Sequence, residues 1–152
     1  MDLKNKVAII TGSAQGLGKA FAARLLEVGV KVCISDLNQE RGEAALKELR
    51  ERFGEDKVHF VACDVTVDEQ FVNLFDQAEK LFNVPCVDIL ANNAGVNVNF
   101  GWKTCMNVNI MAVIRGTEIA VERMKKYGKP CQIINTASLG IKFDLYTEVL
   151  EY

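Results

Sequence analysis

The feature that most constrains this chain is an alternation. Short runs rich in Val and Ile are separated by longer stretches whose apolar residues recur at helical spacing. The short runs, Val7–Thr11, Lys31–Ser35, Lys57–Ala62, Val87–Ala91 and Cys131–Thr136, are the predicted strands. They barely alternate between apolar and polar side chains, as expected of strands covered on both faces. Strand, helix, strand in this order predicts βαβ units, and right-handed crossovers stack such units into an open α/β architecture, a doubly wound parallel sheet of five strands.

The intervening helices carry their own signals. Leu17, Phe21 and Leu25 share one face of a helix predicted over Gly16–Val28. Asn38 is placed to cap a second helix that reaches Phe53 and stops at Gly54. Thr66-Val67-Asp68-Glu69 reads as a capping box for a third, with Phe71, Leu74, Phe75, Ala78, Leu81 and Phe82 on its apolar face and Pro85 closing it. A fourth helix is predicted from near Trp102 to Tyr127, ending at Gly128 and Pro130.

A chain of 152 residues with 49% apolar and 25% charged residues is ordinary for one globular domain. Its net charge of -2 gives no electrostatic reason to expect nucleic acid or an anionic membrane as partner. The five cysteines are odd in number and widely spaced, which predicts reduced, mostly buried thiols rather than disulfides or a metal site. The single histidine, His59, has no cysteine or carboxylate cluster around it and is expected to be structural. The apolar stretch after Met1-Asp2-Leu3-Lys4-Asn5-Lys6 is too short for a signal peptide or a span, so a cytoplasmic location is the expectation.

The turn after the first strand, Thr11-Gly12-Ser13-Ala14-Gln15-Gly16-Leu17-Gly18, joins a buried strand to an amphipathic helix. Glycines there let backbone approach a pyrophosphate, and the helix N-terminus supplies free N–H groups and a positive dipole end. It departs from the Rossmann-type fingerprint G-x-G-x-x-G, because Phe21 stands where a third small residue belongs. The same turn can also be read as no more than a tight connection. Asp36, at the end of the second strand, is where a carboxylate accepts from both ribose hydroxyls of an adenosine and repels a 2′-phosphate, which favours NAD over NADP; alternatively it caps a loop. Asp64-Val65 either bonds an adenine amino group or begins the Thr66 cap.

After the fourth strand stands Asn92-Asn93-Ala94-Gly95. With Thr11-Gly12, Gly16, Gly18, Asp36 and Asp64 in this order, the chain resembles the short-chain dehydrogenase/reductase family from Lys6 to about Ser138. Within it, Asn93–Asn97, Trp102-Lys103-Thr104, Val108-Asn109-Ile110 and Val113–Thr117 are most similar to the NAD-dependent 15-hydroxyprostaglandin dehydrogenase branch. The resemblance implies a dinucleotide-binding domain over residues 1–138, NAD bound through Gly12, Gln15, Gly16, Leu17, Gly18, Asp36, Asp64, Val65, Asn92, Ala94 and Gly95, and oxidation of a secondary alcohol. It further implies that Asn109 holds a water in a proton relay and that Ser138 orients the substrate oxygen.

The family base is a tyrosine with a lysine four residues later, and this sequence lacks that pair. Tyr146 is followed at that distance by Leu150, and Tyr152 is the last residue. Residues 139–152 therefore read as a divergent or truncated tail, with the C-terminal part of the family fold missing and a family-type homodimer expected only if that part is present. The expectation is an alcohol dehydrogenase inactive as these 152 residues; the alternatives are an NAD-binding or regulatory module without turnover and a non-functional fragment.

Overall fold

The structure is a computed structural model and describes residues 3–138. Its five parallel strands are β1 (Val7–Thr11), β2 (Lys31–Asp36), β3 (Val58–Ala62), β4 (Ile89–Asn92) and β5 (Gln132–Asn135), in the spatial order β3-β2-β1-β4-β5. The chain winds outward from β1 to β3, returns to lay β4 against the other side of β1, and continues to β5. The direction of winding therefore reverses between β1 and β4, the place in an open α/β sheet where a crevice forms outside the strand ends.

Both faces of the sheet are covered, which explains the unbroken apolar runs. From β1, Val7 and Ile9 join Phe71, Leu74, Phe75, Leu90 and Ile119 on one side. Ala8 and Ile10 join Leu25, Leu26, Val32, Ile34, Leu49 and Val58 on the other. Every residue of β1 is buried. β5 differs: Cys131 and Ile133 reach the first cluster only as partly buried neighbours, and Ile134 is 40% exposed. It pairs with β4 alone, so among the described residues no further strand lies beyond it.

Helix α1 (Gly16–Glu27) forms, but its buried face carries Gly18, Ala22, Leu25 and Leu26, so Leu17, expected on that face, is exposed; α2 (Gln39–Phe53) forms as expected, with the Asn38 side chain accepting from the Arg41 N–H at 2.9 Å and Gly54 ending it. Helix α3 (Asp68–Phe82) corrects the expected capping box: its N-cap is Val67, without a side-chain cap. The Thr66 hydroxyl and the Thr66 N–H both donate to Asp64 Oδ1, at 2.7 and 2.9 Å, so Thr66 belongs to the turn before the helix. Asn83, in the left-handed region at φ 53°, ends α3 two residues before Pro85.

The expected fourth helix is three stretches in one rod. Helix α4 (Trp102–Met106) passes through a π-helical turn (Asn107–Met111) into α5 (Ala112–Tyr127), which Gly128 closes at φ 60°. Cys33, Cys63 and Cys86 are buried free thiols, and Cys105 and Cys131 are free and half-buried. Burial pushes Cys33 and Cys63 up to about 12, so both are neutral. His59 is structural as expected, its Nδ1 3.2 Å from a guanidinium nitrogen of Arg50 and its ring edge-on to Phe82. Among the described residues no helix is long and apolar enough to cross a membrane, and no cluster of potential ligands could hold a metal ion.

Candidate functional site

The carboxyl ends of β1 and β4 meet at the crevice through Thr11. Its buried hydroxyl oxygen accepts from the N–H groups of Asn93 and Ala94, both at 3.0 Å. Asn93 answers with its side-chain amide, which donates to the carbonyls of Thr11 and Gly12 at 3.0 Å each. On its other side Asn93 Oδ1 accepts from the Thr136 hydroxyl at 3.3 Å. One asparagine thus ties together the ends of β1, β4 and β5.

The glycine turn is shaped by close approach. A Cβ on Gly18 would lie 2.4 Å from the Gly12 carbonyl oxygen and 2.5 Å from Asn93 Nδ2. One on Gly12 would meet the Ala94 Cα at 2.7 Å. Ser13, fully buried, accepts from the Ser35 N–H at 2.9 Å and donates to the Ile10 carbonyl at 2.7 Å, which moors the turn to β2. Beyond this tight base the lip is open: Gln15, Gly16 and Leu17 are exposed, and nothing lies near a Cβ built on Gly16.

Helix α1 begins at that lip with neither a side-chain cap on Gln15 nor an acidic residue in its first turn. Its leading N–H groups and positive dipole end therefore face the crevice without an internal anion. A packed base, an open lip and an uncapped helix start fit a pyrophosphate.

Asp36 ends β2 beside this lip. Its Oδ2 accepts from the Ala14 N–H and its Oδ1 from the Asn38 N–H, both at 3.1 Å. The carboxylate is thereby fixed between the glycine turn and the start of α2, so the loop-capping role weighed from sequence is real. Each oxygen keeps a further lone pair to accept a ribose hydroxyl. Asp64 is half-buried, with Oδ1 accepting from the Thr66 N–H at 2.9 Å, and Val65 is buried beside it.

Asn92 and Asn109 do structural work with their side chains. Asn92 is buried, and its Nδ2 donates to Asn135 Oδ1 at 3.0 Å and approaches the Val113 carbonyl at 3.4 Å, inside the contact of β4 with α5. Asn109, in the π turn, accepts from the Val96 N–H at 2.9 Å and donates to the Val96 carbonyl at 2.8 Å. These two bonds brace the loop after β4 and leave the amide a second N–H and a second lone pair. Ala94 is half-buried and Gly95 exposed, with Asn109 Oδ1 3.5 Å from a Cβ built on Gly95. Ser138 is exposed, three residues beyond β5. Tyr146 and Tyr152 lie outside the described residues.

Sequence reasoning passed over Asn93, Thr11 and Ser13 as individual site residues. Two adjacent asparagines look alike by type, and only the strand end separates them: Asn92 is the last residue of β4 and Asn93 the first beyond it.

A family described as short chain dehydrogenase matches residues 6–147, nearly the whole chain. The chain belongs to the short-chain dehydrogenase family. Among curated relatives, this short-chain dehydrogenase is 41% identical over 142 residues to the 15-hydroxyprostaglandin dehydrogenase [NAD(+)] of Mus musculus, covering 92% of the chain and 52% of that protein. It is 35% identical over 145 residues to an NADP-dependent (R)-specific alcohol dehydrogenase of Lentilactobacillus kefiri, covering 90% and 56%. Among solved structures, a short chain dehydrogenase/reductase from Burkholderia phymatum in complex with NAD superposes with a TM-score of 0.83 at 30% identity, covering 95% of this chain and 53% of that one. The chain spans about half the length of the curated relatives it matches.

Proposed function

We propose that this short-chain dehydrogenase binds NAD in preference to NADP, and that its site belongs to the oxidation of a secondary alcohol of the 15-hydroxyprostaglandin kind. The observation that carries the cofactor reading is the position of Asp36, fixed by Ala14 and Asn38 at the edge of an uncapped helix start. A carboxylate there suits ribose hydroxyls and opposes a 2′-phosphate. The NAD dependence of the mouse relative supports the same reading, while the NADP dependence of the Lentilactobacillus relative means that family membership alone does not select the cofactor.

When bound, the dinucleotide would supply the hydride acceptor. The protein must then remove the hydroxyl proton, and a phenol near pKa 10 without a cationic neighbour is a poor base at neutral pH. Within the 152 residues no tyrosine has a lysine four positions later. These residues by themselves therefore bind cofactor without turning over alcohol, with Ser138 as the group that orients the substrate oxygen and Asn109, which braces the loop after β4, as the residue that holds a relay water.

The test is a titration followed by the fluorescence of Trp102, the only tryptophan and 71% exposed. NADH should bind more tightly than NADPH, and Asp36→Ala should narrow the difference; equal or tighter NADPH binding by the unaltered chain overturns the role of Asp36. No alcohol oxidation is expected until a relative's segment bearing Tyr-x-x-x-Lys is appended, after which Ser138→Ala should remove most of the activity. Robust NADH production by the 152 residues alone would overturn the assignment of the base.

A further inference from the structure

The end of β5 is fastened to two successive asparagines. The Thr136 N–H donates to the Asn92 carbonyl and Asn92 Nδ2 donates to Asn135 Oδ1, both at 3.0 Å, which prolongs the ladder between β4 and β5. The Thr136 hydroxyl reaches one residue further and donates to Asn93 Oδ1 at 3.3 Å. Asn93 lies beyond β4, and its amide is the one that meets the glycine turn. Through it the segment after β5 is connected to that turn across β4.

The Asn93 amide can serve only one way round. Both Nδ2 hydrogens are spent on the carbonyls of Thr11 and Gly12, and an inverted amide would set Oδ1 against those two acceptors. Oδ1 therefore turns toward β5, where only a donor suits it. Behind the same amide there is no slack: a Cβ on Gly18 would lie 2.5 Å from Asn93 Nδ2 and 2.4 Å from the Gly12 carbonyl oxygen. In packing this close a shift of the turn is passed to the amide rather than absorbed. Thr136 stands one residue past β5 and two before Ser138, and its branched side chain has few rotamers in which to hold the hydroxyl.

We propose that Thr136 is a positioning residue: its hydroxyl, through Asn93, sets the segment bearing Ser138 against the glycine turn, so that a diphosphate bound at the turn also arranges the serine that meets the substrate oxygen. The inference rests on the dinucleotide reading of the crevice and on the role given to Ser138. An exposed bond of this length is weak, so its removal acts on arrangement and leaves the fold intact, with β5 still paired to β4.

The experiment uses ADP, which brings a diphosphate to the turn and has no nicotinamide half to touch Ser138. It follows the backbone amide signals of Gly12 and Ser138 by NMR, at a concentration where sedimentation shows a monomer. In the unaltered chain ADP should shift both signals. Thr136→Val keeps the branched shape and loses the donor; it should retain the Gly12 shift, lose most of the Ser138 shift and weaken NADH about two- to fourfold, with the melting temperature unchanged. Thr136→Ser keeps the donor and should restore both the Ser138 shift and the NADH affinity, which a role in packing alone would not require. A Ser138 shift that survives in Thr136→Val overturns the proposal, as does a serine variant that behaves like the valine one. If ADP shifts Gly12 and not Ser138 in the unaltered chain, the dinucleotide reading stands and the proposal falls. If the unaltered chain, folded by circular dichroism, binds neither ADP nor NADH, the dinucleotide reading itself fails and the proposal with it.

Discussion

Asn109 and Val96 are joined by a reciprocal pair of hydrogen bonds, side-chain amide to backbone amide, at 2.9 and 2.8 Å. The π turn is where this pairing occurs, and such a turn changes the angular position of the residues within it relative to a regular helix. Asn109→Ala leaves both Val96 groups without their partner. It is expected to cost about 1–3 kcal/mol in urea unfolding, and Asn109→Asp, which keeps the acceptor but loses the donor, should recover only part of that.

The glycine turn offers a contrast between packing and backbone strain. Gly18→Ala forces a methyl against the Gly12 carbonyl and Asn93, so it is expected to destabilise the fold by about 1–3 kcal/mol and to abolish NADH binding in the Trp102 titration. Gly16→Ala meets open space but holds φ at 56°, and should cost about 1–2 kcal/mol.

At the opposite end of the sheet, Asp88 accepts from the Val7 N–H at 2.9 Å and pairs with Lys6 at 3.0 Å and Lys129 at 3.1 Å. Burial opposes its charge, but the Val7, Lys6 and Lys129 bonds together outweigh burial and hold its carboxyl below the usual range. A carboxylate depressed in the folded state contributes stability that is present above its unfolded pKa, near 4, and is lost as pH falls through the lower folded value. Melting temperature should therefore fall below about pH 4, and Asp88→Asn should flatten that acid limb while lowering stability at pH 7.

The outer edge of β5 leads to a prediction about association. Among the described residues β5 is an edge strand, and its half-exposed Ile134 makes it a template for another strand. The 152-residue chain is expected to self-associate at tens of micromolar in sedimentation, and Ile134→Lys should shift it toward monomer. A monomer at that concentration without the substitution would show the edge to be protected.

Most of the architecture was legible because strands buried on both faces cannot hide: Val7–Ile10 and Val32–Ile34 are unbroken apolar runs. The failures were local competitions. Thr66 has the pattern of a capping residue, but its hydroxyl donates to the Asp64 carboxylate two residues away and the helix takes Val67 as its N-cap. Around the π turn every residue from Val108 to Ile114 except Asn109 is apolar, so there was no clean stripe whose shift in phase periodicity could detect. The edge exposure of β5 is a property of its neighbours, and Cys131-Gln132-Ile133-Ile134 reads the same whether or not a further strand lies beside it. At the site, residue types pointed to Asp36 and the glycines, but not to which of two asparagines would be the tie.

That tie, together with the shared hydroxyl of Thr11, means that the two walls of the crevice cannot open separately. Freeing the Asn93 or Ala94 amide removes an acceptor bond from the same oxygen, and moving Asn93 releases the carbonyls beneath the glycine turn. Solvent exchange at these two amides should therefore proceed as one event, slowed for both at once by a ligand that touches only the glycine side. The crevice has a single hinge-pin, and what settles against one wall is felt at the other.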